Sequence, residues 1–201
     1  MRRRPQKEAD MPYVAGSDAA FVKLGPGRIY FGNVGAAEPT DLTTALTVAW
    51  TYAGFTDEGV SFTWTPAYEN VEVAESLLPI AKVKTGEAGV VETALVEVTA
   101  GNVQRALNGA VVTASGTGAT AIDSVEPLAF GAVEPRVAIL WEADDKSERW
   151  VWRKTLQTGA IAIARRKGAA KATIPLSFEL EPVSAAIKPF KAILKSTSTI
   201  T

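Results

Sequence analysis

Period-two alternation of apolar and polar side chains is the sequence feature that most restricts how this chain folds. Successive side chains of a β-strand point to opposite faces, so such alternation predicts strands with one buried face and one exposed face. The clearest run, residues 172–181, alternates Ala172, Ile174, Leu176, Phe178 and Leu180 with polar residues and with Pro175. Proline lacks an N–H donor, so Pro175 predicts an edge position or a bulge. About ten such runs at even spacing predict a mainly β protein with a β-sandwich or barrel-like fold.

One stretch has the features of an α-helix. Thr99 belongs to the residue types that cap helix N-termini, and residues 100–108 place apolar side chains on one face. Gly109 follows as a stop signal. The preceding run, residues 90–98, is apolar on both faces, which is typical of a central strand. We therefore predict one short flanking helix at about 100–108.

The segment that follows residue 47 predicts a β-hairpin with an unusual continuation. Two alternating runs, residues 48–53 and 60–65, flank a turn-like segment at residues 56–59. After the hairpin, residues 66–79 mix acidic and apolar side chains and end at a proline. We predict an extended loop there that contacts another molecule.

Glycine and small residues predict several further connections. Residues 86–89 are predicted to turn the chain between strands at 80–85 and 90–98. Residues 115–127 are predicted to form a loop, and residues 159–164 a weak strand.

Composition narrows the possible chemistry. The chain has 201 residues, a net charge of -1, no cysteine and no histidine. Disulfides and zinc–thiolate sites are therefore excluded, and the commonest general base is missing. No apolar run approaches the roughly 18 residues that a membrane-spanning helix needs. We predict an N-terminal arm (1–18), a single domain (19–195) and a C-terminal tail (196–201), with no enzymatic activity, no cofactor and no metal.

Three motifs that could carry chemistry are better explained by ordinary turns. Residues 116–121 match G-x-G-x-x-A, but a dinucleotide site needs a helix opening at its third position, and none is predicted. The acidic residues Glu142, Asp144 and Asp145 lack calcium-loop spacing and predict a solvated hairpin turn. The basic residues 165–167, with Lys171, predict a solvated turn. The alternatives are a nucleic-acid site and a salt bridge to the acidic segment 69–75 of another subunit.

The order and spacing of several motifs resemble the major tail proteins, or tail tube proteins, of long-tailed bacteriophages. The resemblance covers roughly residues 20–195. The motifs that carry it are Gly27–Gly32 (G-x-I-x-F-G), Asp41–Thr43, Trp50 followed by Gly54–Val60, the acidic segment after them, and the strand–helix unit Val90–Gly109.

This resemblance implies a structural virion protein. Six protomers would form a ring around a central lumen, and rings would stack into the tail tube that conducts DNA into the host. The implied location is the virion tail, after assembly in the host cytoplasm. The implied partners are further copies of the chain, a tape-measure protein and tail-end proteins, whereas DNA passes without specific binding. The lumen candidates are Thr51, Ser61, Thr63, Thr65, Glu179 and Glu181.

The resemblance also implies that the long loop and both chain ends bridge neighbouring subunits and rings. The interface candidates are Arg2, Arg3, Arg4, Tyr68, Glu69, Val71, Val73, Glu75, Leu77, Leu78, Arg165 and Arg166. The triple arginine near the N-terminus is not a feature of the family pattern. An alternative function is a β-sandwich adhesin or receptor-binding module, against which the predicted core positions of the tryptophans argue. A third is an enzyme that uses carboxylates or the glycine loop at residue 116.

Overall fold

The computed structural model describes residues 25–75, 77–165 and 171–195. The predicted N-terminal arm with Arg2, Arg3 and Arg4, the C-terminal tail and Arg166 lie outside these residues. The elements, in chain order, are β1 (Gly27–Asn33), β2 (Trp50–Tyr52), β3 (Thr56–Val71), β4 (Ala81–Leu95), α1 (Ala100–Ala106), β5 (Val111–Ser115), β6 (Ile122–Glu126), β7 (Val137–Ala143), β8 (Glu148–Gln157), β9 (Ile174–Leu180) and β10 (Phe190–Leu194).

The protein is mainly β, as predicted, and its strands are antiparallel. The large sheet has the order β2-β1-β7-β8-β9-β4-β3, and β10 also pairs with β8. One edge of β8 pairs with β7, while the other pairs with β10 along residues 148–152 and with β9 along residues 155–157. This divided edge lets the sheet fold over itself in a sandwich-like arrangement. The strands β5 and β6 form a separate two-stranded sheet.

The inner faces of the large sheet enclose the core. Ile29 and Phe31 of β1 pack with Leu95 of β4 and with Ile174 and Phe178 of β9. The ring centroids of Phe31 and Phe178 are 5.6 Å apart. Each fully buried side chain of this size contributes about 1.5–3 kcal/mol, so these contacts between distant strands hold the two layers together.

The predicted helix is confirmed, with its last turn shorter than expected. The Thr99 hydroxyl accepts a hydrogen bond from the Asn102 amide at 3.2 Å, and the helix ends at Ala106. The buried Asn102 side chain donates to the carbonyls of Ala53 at 2.8 Å and Glu97 at 2.9 Å. The helix is thereby anchored to the segments that precede β3 and follow β4. Among the described residues, no helix is long and apolar enough to cross a membrane.

The predicted first hairpin is wrong. β2 pairs with β1, whereas β3 pairs with β4. The supposed turn at residues 56–59 lies inside β3, beside a register shift between Thr56 and Val60. Alternation identifies which side chains share a face, but it carries no information about which strand is the neighbour. The face assignment within β3 is confirmed, because Val60, Phe62 and Trp64 are half-buried.

The predicted turn at residues 86–89 is also wrong, since β4 runs through it without a break. A Cβ atom at Gly89 would lie 2.9 Å from the Trp64 ring, so this glycine permits a close approach between strands. The predicted loop 115–127 contains β6, and the predicted strand 159–164 is irregular. Pro175 of β9 pairs with Ala94 of β4. On the other side of β9, the pairing with β8 extends only to Phe178, so Pro175 has no strand neighbour there among the described residues. The predicted edge position of Pro175 is confirmed locally.

A buried ion pair fastens the loop between β1 and β2 onto the outer face of β7 and β8. Arg149 and Glu142 are opposite each other on neighbouring strands, and both are almost fully buried. The Arg149 guanidinium donates to Glu142 at 2.6 Å and to the carbonyls of Asp41 and Thr44 at 2.8 Å each. The same loop packs Ala36 and Leu46 against a second small cluster of Trp50, Ala138, Leu140 and Val151. The sequence analysis placed Glu142 in a solvated turn, and this prediction is wrong because Glu142 is buried in β7.

The Asp41 carboxylate orders this same loop and gives it a pH dependence. Its oxygens accept from the Thr44 hydroxyl at 2.6 Å and from the amides of Thr44 at 2.7 Å and Thr43 at 2.8 Å. These hydrogen bonds, first of all the one from the Thr44 hydroxyl, lower the pKa of Asp41 from 3.8 to about 2. Since the pKa is lowered on folding, the stabilisation is present above pH 3.8 and is lost as the pH falls through 2.

We expect Asp41→Asn to unfold at a lower urea concentration than the wild type at pH 6. The difference between the two urea midpoints should shrink as the pH falls towards 2, because protonated Asp41 loses the same advantage. Urea titrations of both proteins at several pH values measure this. A difference that does not change with pH would contradict the assignment of the carboxylate as the ordering group.

Candidate assembly surfaces

β3 and β4 form one long antiparallel hairpin, and its distal half leaves the sheet. The register runs from Thr56 opposite Leu95 to Val71 opposite Ala81. β9 pairs with β4 only from Val90 onwards, so within the described residues the distal half has no neighbour except its own second strand. We call residues 66–87 the arm. At about 3.3 Å per residue, its paired part is on the order of 20 Å long.

The predicted extended loop at 66–79 is therefore wrong in form. β3 continues to Val71, and the connection proper comprises only residues 72–80. The Ile80 amide donates to the Val71 carbonyl at 2.9 Å and closes the hairpin. The continuation of β3 was not predicted, because its hydrogen-bond partners are residues of β4 that follow the connection in the sequence.

Both faces of the arm are exposed, although the arm is rich in large apolar side chains. These exposed side chains are Tyr68, Val71, Val73, Leu77, Leu78, Ile80 and Val83. Five of them were interface candidates from the sequence, and Ile80 and Val83 were missed because their strand was not recognised as part of the same hairpin. A two-stranded hairpin is at best marginally stable in water without a further surface to pack against. The arm thus has the composition of an interface, and no other described segment of the chain covers it.

The arm carries an uneven charge distribution. Lys84 pairs with Glu87 near its base and lies over the Trp64 ring at 5.9 Å. Towards the tip, Glu72 and Glu75 are exposed, and no cation in the described part of the chain forms a salt bridge with them. The tip therefore combines exposed leucine side chains with carboxylates that have no salt-bridge partner among the described residues.

A second surface forms on the outward face of β3, β4 and β9. The strand register places Ser61, Glu92 and Ser177 in one row across the three strands. Thr63, Val90 and Glu179 form the next row. We call these two rows the polar face. Glu92 was missed by the sequence analysis, although its position between the buried Val91 and Thr93 marks it as outward-facing.

Four of the six lumen candidates lie together on this side of the sheet. Thr65 continues the pattern of Ser61 and Thr63 along β3, and Glu179 faces the same way from β9. Thr51 is exposed but lies on β2, at the opposite end of the strand order. Glu181 follows β9 and is held by Arg136 and Lys154, each at 3.0 Å, and the hydrogen bonds from these two cations lower its pKa.

Two of the remaining motifs, the glycine motif and the pair Asp144–Asp145, form turns, whereas the basic motif lies outside the described residues except for Arg165. Gly116 lies in the tight connection between β5 and β6, where a Cβ atom would lie 2.3 Å from the Thr120 carbonyl oxygen. Asp144 pairs with Arg28 at 3.1 Å, and Asp145 accepts from the Ser147 amide at 2.9 Å. Arg165 is exposed. In the part of the chain that the structure describes, no group of three or more carboxylates could hold a metal ion.

Comparison with known proteins identifies no family for this chain. No protein-family model matches the chain. No curated protein is similar enough in sequence to match it either. What the molecule itself defines is a mainly β, sandwich-like protein with a projecting apolar arm and an acidic, hydroxyl-rich sheet face. The arm and the polar face, together with the motifs of the sequence, are the features that bear on function.

Proposed function

We propose that this chain is a structural subunit that assembles into hexameric rings, which stack as the tail tube of a long-tailed bacteriophage. The observation that carries the proposal is the arm, which exposes apolar side chains on both faces and extends beyond the sheet. A surface of this kind is expected to be covered in the working form of the protein. A second copy is the natural cover, since repeated contacts between copies generate rings and tubes.

The polar face supports the same proposal. Its carboxylates, Glu92 and Glu179, are exposed beside serine and threonine hydroxyls. Carboxylates repel the phosphates of DNA, and small hydroxyl side chains offer little apolar surface for bases to stick to. Such a face suits the wall of a conduit through which DNA passes without binding.

The motif order that resembles tail tube proteins supports the proposal independently of these surfaces. The tape-measure protein and the tail-end proteins are accordingly proposed as partners, and the virion tail as the location. The adhesin alternative gains no support from the tryptophans. All five are buried or half-buried in the sheet, and none is presented at a loop tip.

Sedimentation velocity over a range of protein concentrations tests the proposal. The monomer has a mass of 21.3 kDa. We expect a species of six times this mass, followed by larger species that grow with concentration. A protein that remains monomeric over the whole range, including after seeding, would contradict the proposal.

Reversing the charge of the polar face should convert a DNA-repelling wall into a DNA-binding one. We expect the double variant Glu92→Lys, Glu179→Lys to assemble normally, because both side chains are exposed. The assembled particles should retain short duplex DNA at low salt and release it at high salt. Co-sedimentation with labelled DNA measures this.

A matched control reverses two acids elsewhere. Asp123→Lys, Glu126→Lys changes the net charge equally but on the separate β5–β6 sheet, where both side chains are also exposed. This variant should retain much less DNA. Equal retention by the two variants would show that the polar face does not line the conduit.

A further inference from the structure

A pocket between the end of α1 and the edge of the sheet has the properties of a receiving site. It has a volume of about 420 Å³ and is lined by Phe31, Val48, Thr51, Arg105, Pro135 and Arg136, among others. Volumes of 300–1,000 Å³ are typical of sites that hold a ligand or an inserted side chain. Val48, at its rim, is fully exposed. The pocket therefore offers both apolar surface and positive charge.

The two charged side chains of this pocket differ in how far their hydrogen bonds are satisfied. Arg136 donates to both carboxylate oxygens of Glu181 and to the Glu134 carbonyl. Arg105 stacks over the Phe31 ring at 5.0 Å and donates through Nη1 to the Asn102 side chain at 2.9 Å. No carboxylate among the described residues neutralises Arg105, and burial alone lowers the pKa of its guanidinium. Arg105 is thus a half-buried cation beside a cavity, and within the described residues only its Nη1 donates to another side chain.

The tip of the arm is complementary to this pocket. It carries the exposed carboxylates of Glu72 and Glu75 next to the fully exposed Leu77. A carboxylate accepts two parallel hydrogen bonds from a guanidinium, and the pair is strongest where water is excluded. The charge and the apolar character of the two surfaces therefore match, whereas the polar face, with its own carboxylates, would repel the tip.

We propose that the pocket around Arg105 receives the arm tip of a second copy, with Glu72 and Glu75 facing Arg105 and Leu77 packing on Val48. This proposal rests on the proposed function and specifies which surface of the neighbouring subunit the arm contacts. The contact is heterologous, since the arm of one copy meets the pocket of the next and leaves a free arm and a free pocket at the ends. Such a contact propagates into rings or stacks.

Charge exchange between the two surfaces tests this contact. Glu72→Arg together with Glu75→Arg should raise the concentration needed for assembly by about tenfold or more, as expected for a lost ion pair that is shielded from water. Adding Arg105→Glu to this variant should restore assembly to within about threefold of the wild type. The control adds Arg165→Glu in its place and should not restore assembly; Arg165 is exposed and belongs to the basic motif that the sequence offered as an alternative partner of the acidic segment.

Rescue by Arg165→Glu, or assembly unaffected by the arm reversal, would overturn the proposal. If wild-type chains do not assemble at all, the proposed function itself fails. If they assemble but Arg105→Glu brings no rescue, only the contact is wrong. Thermal melting of each variant confirms that it is folded.

Disulfide cross-linking provides a second test that does not depend on altering Arg105. The chain contains no cysteine, so a cysteine pair reports only on the two chosen positions. Leu77→Cys with Val48→Cys should give a ladder of covalent multimers after mild oxidation of assembled protein, because the proposed contact brings residue 77 of one copy against residue 48 of the next. Both side chains are fully exposed in the single chain, so the substitutions should not disturb its fold. Leu77→Cys with Thr63→Cys, on the polar face, should not. Equal yields from the two pairs, or no ladder from the first in assembled samples, would overturn the proposal.

Discussion

Replacing residues 66–87 by Asn-Gly should give a folded monomer that no longer assembles. Thr65 lies opposite Ala88 in the β3–β4 register, so a two-residue turn can close the shortened hairpin without disturbing the strands below it. The arm buries little against the other described residues, and we expect the melting temperature to change by only a few degrees. Assembly should be lost over the accessible concentration range, because the apolar side chains of the arm are gone.

Circular dichroism and sedimentation velocity on the same sample measure both parts of this expectation. The control is a shortened connection in which residues 66–71 and 81–87 are retained, which separates the role of the tip from that of the paired strands. A folded deletion variant that still forms tubes would refute the role of the arm. An unfolded one would show that the arm contributes to the stability of the single chain.

Arg149→Ala should be among the most destabilising single substitutions in this protein. It leaves the Glu142 carboxylate buried, with Lys146 as its one remaining cation among the described residues, and it removes the donor to the carbonyls of Asp41 and Thr44. Removing one partner of a buried ion pair costs about 3–5 kcal/mol. We expect a loss of free energy of unfolding in this range, together with exposure of Trp50 as the loop between β1 and β2 detaches.

Urea unfolding monitored by tryptophan fluorescence measures this loss. The matched control is Arg28→Ala, whose partner Asp144 is also a hairpin carboxylate but whose ion pair is largely exposed. Exposed pairs contribute about 0–1 kcal/mol, so the control should be nearly neutral. A second comparison, Arg149→Met with Glu142→Leu, should recover much of the loss because no charge remains buried. Equal effects of Arg149→Ala and Arg28→Ala would contradict the stabilising role of the buried Arg149–Glu142 ion pair.

The sequence predicted best those features that depend on neighbours along the chain. The helix with its Thr99 cap, the hairpin turn between β7 and β8 and the alternating faces of β3 and β9 all follow from local sequence patterns. The partners of β2 and β3 were not predicted, because pairing is decided by contacts between residues far apart in the sequence. Gly89 illustrates a second limit, since glycine marks both turns and close approaches between strands.

For the candidate surfaces, the sequence indicated the residue types but not their spatial arrangement. Exposed apolar and acidic residues of the arm were recognised from composition, but their arrangement on a paired hairpin was not. Glu92 was overlooked because its strand was judged to be apolar on both faces. Arg105 carries no distinguishing signal in the sequence, since a basic residue in the last turn of a helix is ordinary and often stabilises the helix dipole. Only the fold places it over Phe31 and beside a pocket.

The arm, the polar face and the Arg105 pocket would divide the work of assembly between them. In the proposed tube, the arm would supply the apolar contact, the pocket would set its direction, and the polar face would stay clear for the passage of DNA. The buried Arg149–Glu142 pair holds the loop between β1 and β2 against the sheet, and the second strand of this loop's hairpin, β2, borders the pocket. Stability of the single chain and competence for assembly are therefore expected to be separable by mutation.

Negative-stain electron microscopy of the purified wild-type protein tests the central proposal most directly. At high protein concentration we predict rings with six-fold symmetry and tubes of uniform width with a stain-filled lumen, growing in length after seeding. Particles that stay the size of a single 21.3 kDa chain under all of these conditions would contradict it.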